Sequence, residues 1–228
     1  MTEFTYVKPR SPRGTAILSD VEKIADTLKR GSLAILPTET GYMLAALATS
    51  TDALERAFTV KGRNASDVMH VACASLEMAE TVGMLSQRAI RLLGEFTPGP
   101  VSVIVNKTDL LPDHLVTLNG TVGIRIPDHA ATLQVINAVG GPVTATSLNL
   151  SGSWSISVDK ASLESLNWPA DELVYVLRDD HSVSYARPST LVRVSGDETE
   201  ILRVGPVPES EILRASETMN YLEVANRA

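Results

Sequence analysis

The stretch GGPVTATSLNLSG, Gly140–Gly152, begins as a buried strand and then turns polar. Pro142, Val143 and Ala145 are apolar and suit an enclosed sheet. Thr146, Ser147, Asn149 and Ser151 follow, polar but uncharged. In an extended chain Ser147, Asn149 and Ser151 project to one side, because side chains repeat every two residues. Hydroxyls and an amide grouped in this way can hold phosphate or carboxylate oxygens as neutral donors. The same residue types also build turns and caps. The choice between the two rests on what the other segments bring to this one.

The chain has 228 residues, of which 44% are hydrophobic and 21% charged, as in a soluble globular protein. A domain of this size buries roughly 70% of the surface of its unfolded chain and needs no staples. A net charge of −7 argues against non-specific nucleic-acid binding as the main task, which needs a basic footprint. Cys73 is the single cysteine, so an internal disulfide and a cysteine-cluster metal site are excluded. Its apolar surroundings fit an inert, buried thiol. The N-terminus lacks a signal-peptide core, and no apolar run approaches the roughly 18 residues of a membrane span. A cytoplasmic location without membrane contact is expected.

No repeat, low-complexity tract or linker interrupts the chain, so one domain over residues 1–228 is expected. Residues 1–14, with Lys8, Arg10 and Arg13 among prolines, read as an irregular basic arm. Ser19 and Glu22 have capping-box spacing and open a helix that Gly31 ends. "SLAILP" is a buried strand stopped by Pro37, and a helix spans about 52–60. "VMHVACAS" reads as a strand buried on both faces. Ser75 and Ser86 cap helices near 76–83 and 87–95. "VSVIVN" and "GTVGIRIP" are strands, and Asp128 caps a helix reaching Val139. A helix near 159–166 precedes strands at "ELVYVL", "STLVRV" and "EILRV", and a C-terminal helix begins near 208. Alternating helices and strands, with strands crowding late, indicate an α/β fold on a twisted mixed sheet.

Several segments carry candidate chemistry. "PTETGYML" sets Thr38, Glu39, Thr40 and Tyr42 at a strand end, where α/β sheets gather ligands; a capped turn is the other reading. In "KGR", Lys61 and Arg63 flank a polyphosphate if the segment is extended, or cap a solvated helix end. Arg125 interrupts an apolar strand while Ile124 and Ile126 point the other way. It therefore faces a polar cavity suited to an anion such as a carboxylate. His70 reads as a satisfied core histidine. No metal spacing, Walker loop, dinucleotide fingerprint or nucleophile elbow is present.

Taken in order, "PTETGYML", "KGR", "FTPGPVSVIV", "TVGIRIPDH", "TATSLNLSG", "PSTLV" and "ILRVG" resemble the YrdC-type family of threonylcarbamoyl-AMP synthases. The resemblance runs from about Ile17 to Ile212. It implies a twisted mixed α/β domain with a concave positive cleft. It implies ATP, bicarbonate and L-threonine as substrates, with Mg²⁺, giving threonylcarbamoyl-adenylate and pyrophosphate. Other proteins then transfer the group to tRNA. Carried over residue by residue, Lys61, Arg63, Ser147 and Asn149 match phosphate-holding positions, with Lys61 and Arg63 the catalytic cations. Asp67, Thr121, Ser155 and Arg203 match other ATP contacts. Thr40, Tyr42, Arg125 and Ser189 match the amino-acid side, with Arg125 facing the carboxylate. Asn64, Asp67, Ala72 and Met43 depart from the usual proline, asparagine, histidine and glycine, and Gly41–Tyr42 is similar to the YciO-like branch. A diverged enzyme making another carbamoyl or acyl adenylate, or a non-catalytic RNA-binding module, are the alternatives.

Overall fold

A computed structural model describes residues 2–8, 16–62, 69–113, 117–148, 158–170, 172–179, 184–185 and 187–217. The first strand, β1 (Glu3–Val7), precedes α1 (Leu18–Lys29), the hairpin β2 (Ala34–Thr38) and β3 (Gly41–Ala45), and α2 (Thr51–Lys61). Next come β4 (Val71–Ala72), α3 (Leu76–Val82), α4 (Gln87–Phe96), β5 (Val101–Asn106), β6 (Thr117–Leu118), β7 (Thr121–Arg125) and α5 (Ala130–Val139). Then follow β8 (Val143–Thr144), β9 (Thr146–Ser147), α6 (Lys160–Glu164), β10 (Leu173–Leu177), β11 (Thr190–Ser195), β12 (Glu198–Arg203) and α7 (Glu209–Glu217). Among the described helices none is long and apolar enough to cross a membrane.

The mixed α/β character is as expected, but the strands form two sheets rather than one. The first runs β1-β10-β2-β3-β9 and the second β12-β11-β5-β7-β4-β8, with β6 beside β7. Both mix parallel and antiparallel pairs. The late strands therefore separate: β10 joins the first sheet, while β11 and β12 edge the second.

The opening stretch is where the sheets join. Val143 and Thr144 pair with β4 in the second sheet. Thr146 and Ser147 pair with Leu44 and Met43 of β3 in the first. At the crossing, the Ala145 N–H still donates to His70 O at 2.7 Å. Thr144 ties the other side down: its hydroxyl donates to Leu44 O at 2.8 Å and accepts from Ala46 N at 3.0 Å. Both atoms are buried, so each would cost free energy without its partner.

Alternation along β2 sorts two cores. Leu33 and Ile35 face a large cluster with Leu54 and Phe58 of α2 and Leu92 and Leu93 of α4. Ala34 and Leu36 face a smaller cluster with Ile24 and Leu28 of α1 and Val135 and Ile136 of α5. The period of two that marks a strand thus assigns each face its own helices.

Several local expectations change. Residues 3–7 are not an irregular arm but a strand parallel to β10, with Phe4 edge-on to Trp168 at 5.3 Å. The β-prone residues of EFTYV prevail over the prolines that follow. Helix α1 starts at Leu18, one residue before the expected cap, and Ile17 caps it without a side-chain bond. The entry is held instead by Ala16 N donating to Gln134 Oε1 of α5 at 3.0 Å. Pro37 does not stop β2, which continues to Thr38 opposite Gly41. β10 pairs only with Ala34 and Ile35, so no neighbour on that side waits for the missing N–H. His129, not Asp128, caps α5 by accepting from Thr132 N through Nδ1 at 3.2 Å. "VMHVACAS" supplies only a two-residue strand. Ser75 and Ser86 cap as expected, each accepting the N–H three residues on. The C-terminal helix is described to Glu217, and its expected remainder lies outside the described residues.

Thr144→Val keeps the side-chain shape and removes the two hydroxyl bonds to Leu44 and Ala46. We expect a loss of about 1–3 kcal/mol. Urea unfolding should show a lower midpoint at unchanged slope.

Candidate functional site

A cavity of about 280 Å³ opens between the two sheets where the chain crosses at Ala145. Its floor is a row of residues paired across four strands of the second sheet: Arg203 with Leu191, Leu191 with Ser102, Ser102 with Arg125. Directly paired residues share a face, and all four line the cavity. The β2–β3 hairpin contributes Thr38, Thr40, Tyr42 and Met43, and the crossing strand contributes Thr146 and Ser147.

Arg125 faces this cavity as expected, but it already has an acidic partner. Its Nη2 lies 2.7 Å from Glu39 Oε1 and 2.7 Å from Thr40 Oγ1. Glu39 Oε2 accepts from Asp128 N at 3.0 Å. Exposure of the two charged side chains is only 11% and 3%, so this is a buried, hydrogen-bonded ion pair. Arg125 Nε is buried and has no partner among the described residues, and the same holds for Thr146 Oγ1.

Arg203 reaches in from the other end of the row. Its Nε donates to Ser189 O at 3.1 Å and its Nη2 to Ser189 Oγ at 3.4 Å. Burial, and then the charge of Arg125, lower its pKa below the ordinary 12.5. The two guanidiniums thus disfavour one another across the cavity.

Tyr42 is held at its tip, its hydroxyl accepting from Asp179 N at 3.0 Å. Asp179 Oδ2 in turn lies 3.3 Å from His129 Nε2. Because Nδ1 accepts from Thr132, the imidazole proton sits on Nε2 and points at Asp179. Burial pulls the His129 pKa below 6.5, while Asp179, Glu39 and Asp128 act the other way. Burial also pushes the Cys73 thiol up to about 12, as an inert thiol requires.

Of the residues singled out in the sequence, Thr40, Tyr42, Arg125, Ser147, Ser189 and Arg203 line the cavity. Lys61 ends α2, and Gly62 then turns left-handed with φ 57°, so the segment is not extended there. Nor is Lys61 a solvated helix end. It is 9% exposed, and its Nζ donates to Ser147 O at 2.6 Å. Thr121 stands at the opposite end of β7 from Arg125, across from Asn106, and is not among the lining residues. Arg63, Asp67, Asn149 and Ser155 lie outside the described residues.

Some lining residues escaped the sequence reading. His70 lines the cavity rather than the core, packed over Gly123, where a Cβ would stand 2.6 Å from its Cδ2. Ala72, by contrast, is fully buried in the smaller core although it pairs with Arg125. Ser102 is a hydroxyl in the apolar run VSVIVN, and that break in the pattern was its signal.

Residues 26–205 match the Sua5/YciO/YrdC family model, described as telomere recombination. The chain belongs to this family. A threonylcarbamoyl-AMP synthase of Mus musculus is 32% identical over 193 residues, which are 83% of this chain and 68% of that one. The structure of P. abyssi Sua5 complexed with L-threonine superposes with a TM-score of 0.80 at 26% identity, over 93% of this chain and 60% of that one. E. coli YciO shares the fold, with a TM-score of 0.76 at 23% identity over 93% and 99% of the two chains. The chain spans about half the length of some curated synthases, 54% and 55% of those from Pyrococcus abyssi and Bacillus subtilis.

Glu39→Gln leaves Arg125 without its counter-charge and should cost roughly 3 kcal/mol, read by chemical denaturation. His129 is harder to protonate folded than unfolded, so it contributes stability above pH 6.5 that is lost as pH falls through the depressed folded pKa. Denaturation from pH 7.5 to 5 should show that loss, and His129→Asn, which keeps a capping side chain, should flatten it.

Proposed function

We propose that the chain is an ATP-dependent L-threonylcarbamoyladenylate synthase, a nucleotidyltransferase joining L-threonine, bicarbonate and ATP. The products are threonylcarbamoyl-AMP and pyrophosphate, and other proteins pass the group on to tRNA. The observation that carries this reading is the floor row, which aims Arg125 and Arg203 into one cavity beside the hydroxyls of Thr40, Tyr42, Ser147 and Ser189. The threonine complex of the structurally similar Sua5 supports the amino-acid half.

Adenylation is displacement at the α-phosphate, and positioning and charge stabilisation are the main catalytic needs. Arg125 would take the threonine carboxylate, with Thr40, Tyr42 and Ser189 as neutral contacts. Arg203 and Ser147 would face the nucleotide, with Arg63, Asp67, Thr121, Asn149 and Ser155 as further ATP contacts. Lys61 would place Ser147 through its carbonyl, and Lys61 with Arg63 would supply the catalytic positive charge. ATP would bring Mg²⁺ on its own phosphate oxygens, which are that ion's ordinary ligands.

A second reading, a diverged enzyme for another carbamoyl or acyl adenylate, draws on Met43, a lining residue whose side chain belongs to the smaller core. Incubation with ATP, bicarbonate, Mg²⁺ and L-threonine should give the adenylate by mass spectrometry. No product at high enzyme concentration rejects the first reading, and product from other amino acids in place of threonine selects the second. Arg125→Ala should raise the amino-acid requirement at least tenfold. An effect confined to ATP contradicts the assignment.

A further inference from the structure

We infer that Ser102 is a positioning residue that fixes the Ser189 hydroxyl as a donor into the cavity. This rests on the synthase reading for the identity of the ligand, but not for the hydrogen-bond logic. Ser102 Oγ and Ser189 Oγ are 2.8 Å apart, and the residues are 1% and 4% exposed. Both side chains are thus nearly closed off from bulk solvent.

A serine hydroxyl carries one proton and two acceptor lone pairs. Arg203 Nη2 can only donate, so it occupies one lone pair of Ser189 Oγ. Ser102 stands beside that atom, and among the described residues its hydroxyl has one hydrogen-bond partner, Ser189. Either hydroxyl can donate along this bond; a ligand acceptor in the cavity selects Ser102 as the donor, which fills both Ser189 lone pairs and leaves the Ser189 proton to point elsewhere. Both serines line the cavity, so the open direction for that proton is the cavity itself. A ligand oxygen bearing negative charge, such as a carboxylate, is the acceptor that such a donor suits.

The placement on the floor row strengthens the assignment. Ser102 pairs with Arg125 on one side and Leu191 on the other. It stands next to the guanidinium that would take the carboxylate and bonds to the hydroxyl that leans on the second guanidinium. One buried serine thereby aligns a neutral donor beside the Arg125 guanidinium, on the carboxylate side of the cavity.

Ser102→Thr and Ser102→Val have nearly the same shape and differ in the hydroxyl, so they separate orientation from packing. Thermal unfolding checks that both fold. L-threonine and acetate serve as carboxylate probes by calorimetry, with ATP titrated separately. We expect Ser102→Thr to bind L-threonine within about twofold of wild type, and Ser102→Val to bind it on the order of tenfold more weakly with ATP affinity unchanged. Ser102→Val combined with Ser189→Ala should be no worse than Ser189→Ala alone, because the two act as one unit. Equal L-threonine affinity in the Thr and Val variants, or fully additive losses, overturns the inference. Wild-type adenylate formation is measured in parallel. Carboxylate binding that depends on Ser102 without adenylate formation rejects the synthase reading alone. Adenylate formation without Ser102 dependence rejects this inference alone, and a wild type that binds neither probe rejects both.

Discussion

Between Thr144 and Thr146 the backbone changes allegiance from one sheet to the other, and the rest of the molecule depends on that crossing. Two sheets that share no strand would be free to slide or splay. Here a single extended segment bonds to β4 before Ala145 and to β3 after it. The Thr144 hydroxyl adds two buried bonds to the β3 end, at Leu44 and Ala46. The cavity lies beside this joint, so its floor and its far wall have a fixed separation. Thr146 and Ser147 belong to one sheet, and Arg125 and Ser102 to the other.

The electrostatics of the cavity are local and opposite in sign to the molecule as a whole. The chain carries −7 overall, yet its cavity presents two guanidiniums. Screening over a Debye length of about 8 Å makes the net charge a poor guide to such a pocket. Arg125 is balanced by Glu39, which is in turn held by the backbone of Asp128. Glu39 also accepts, through its own carbonyl, from the backbone of Ser184 and Tyr185. One acidic residue thus anchors the arginine, the turn before α5 and a segment on the approach to Ser189.

Much of the fold was legible because burial writes a period into the sequence. Strands β5, β7 and β11 and helices α3, α4 and α5 carry clear alternation or caps. The failures have physical causes. Strand β3 reads as a polar turn because its first residues, Gly41 and Tyr42, follow a tight hairpin and serve the cavity. Lys61 reads as either a phosphate-flanking cation or a solvated helix end, because the carbonyl that receives it lies 86 positions away. His129 reads as an ordinary helix residue, and Asp128 as the better cap, because the bond to Asp179 that orients the imidazole comes from another element. For the site, charged and hydroxyl residues in apolar strands were the visible signal. Which partners they would meet was not, since Arg125 finds Glu39 and Ser189 finds Ser102 only through the sheet and hairpin geometry.

The floor row has a temporal consequence. Its members, Ser102, Arg125, Leu191 and Arg203, are spread over about a hundred positions and reach one face only when β12 has paired with β11. A nascent chain that has emerged only as far as β7 already holds Ser102 and Arg125, yet it has neither Ser189 nor Arg203. The row is therefore completed by β12, the last of the described strands in chain order. The row thus exists only through long-range pairing, and no fragment that stops before β12 contains all four of its members.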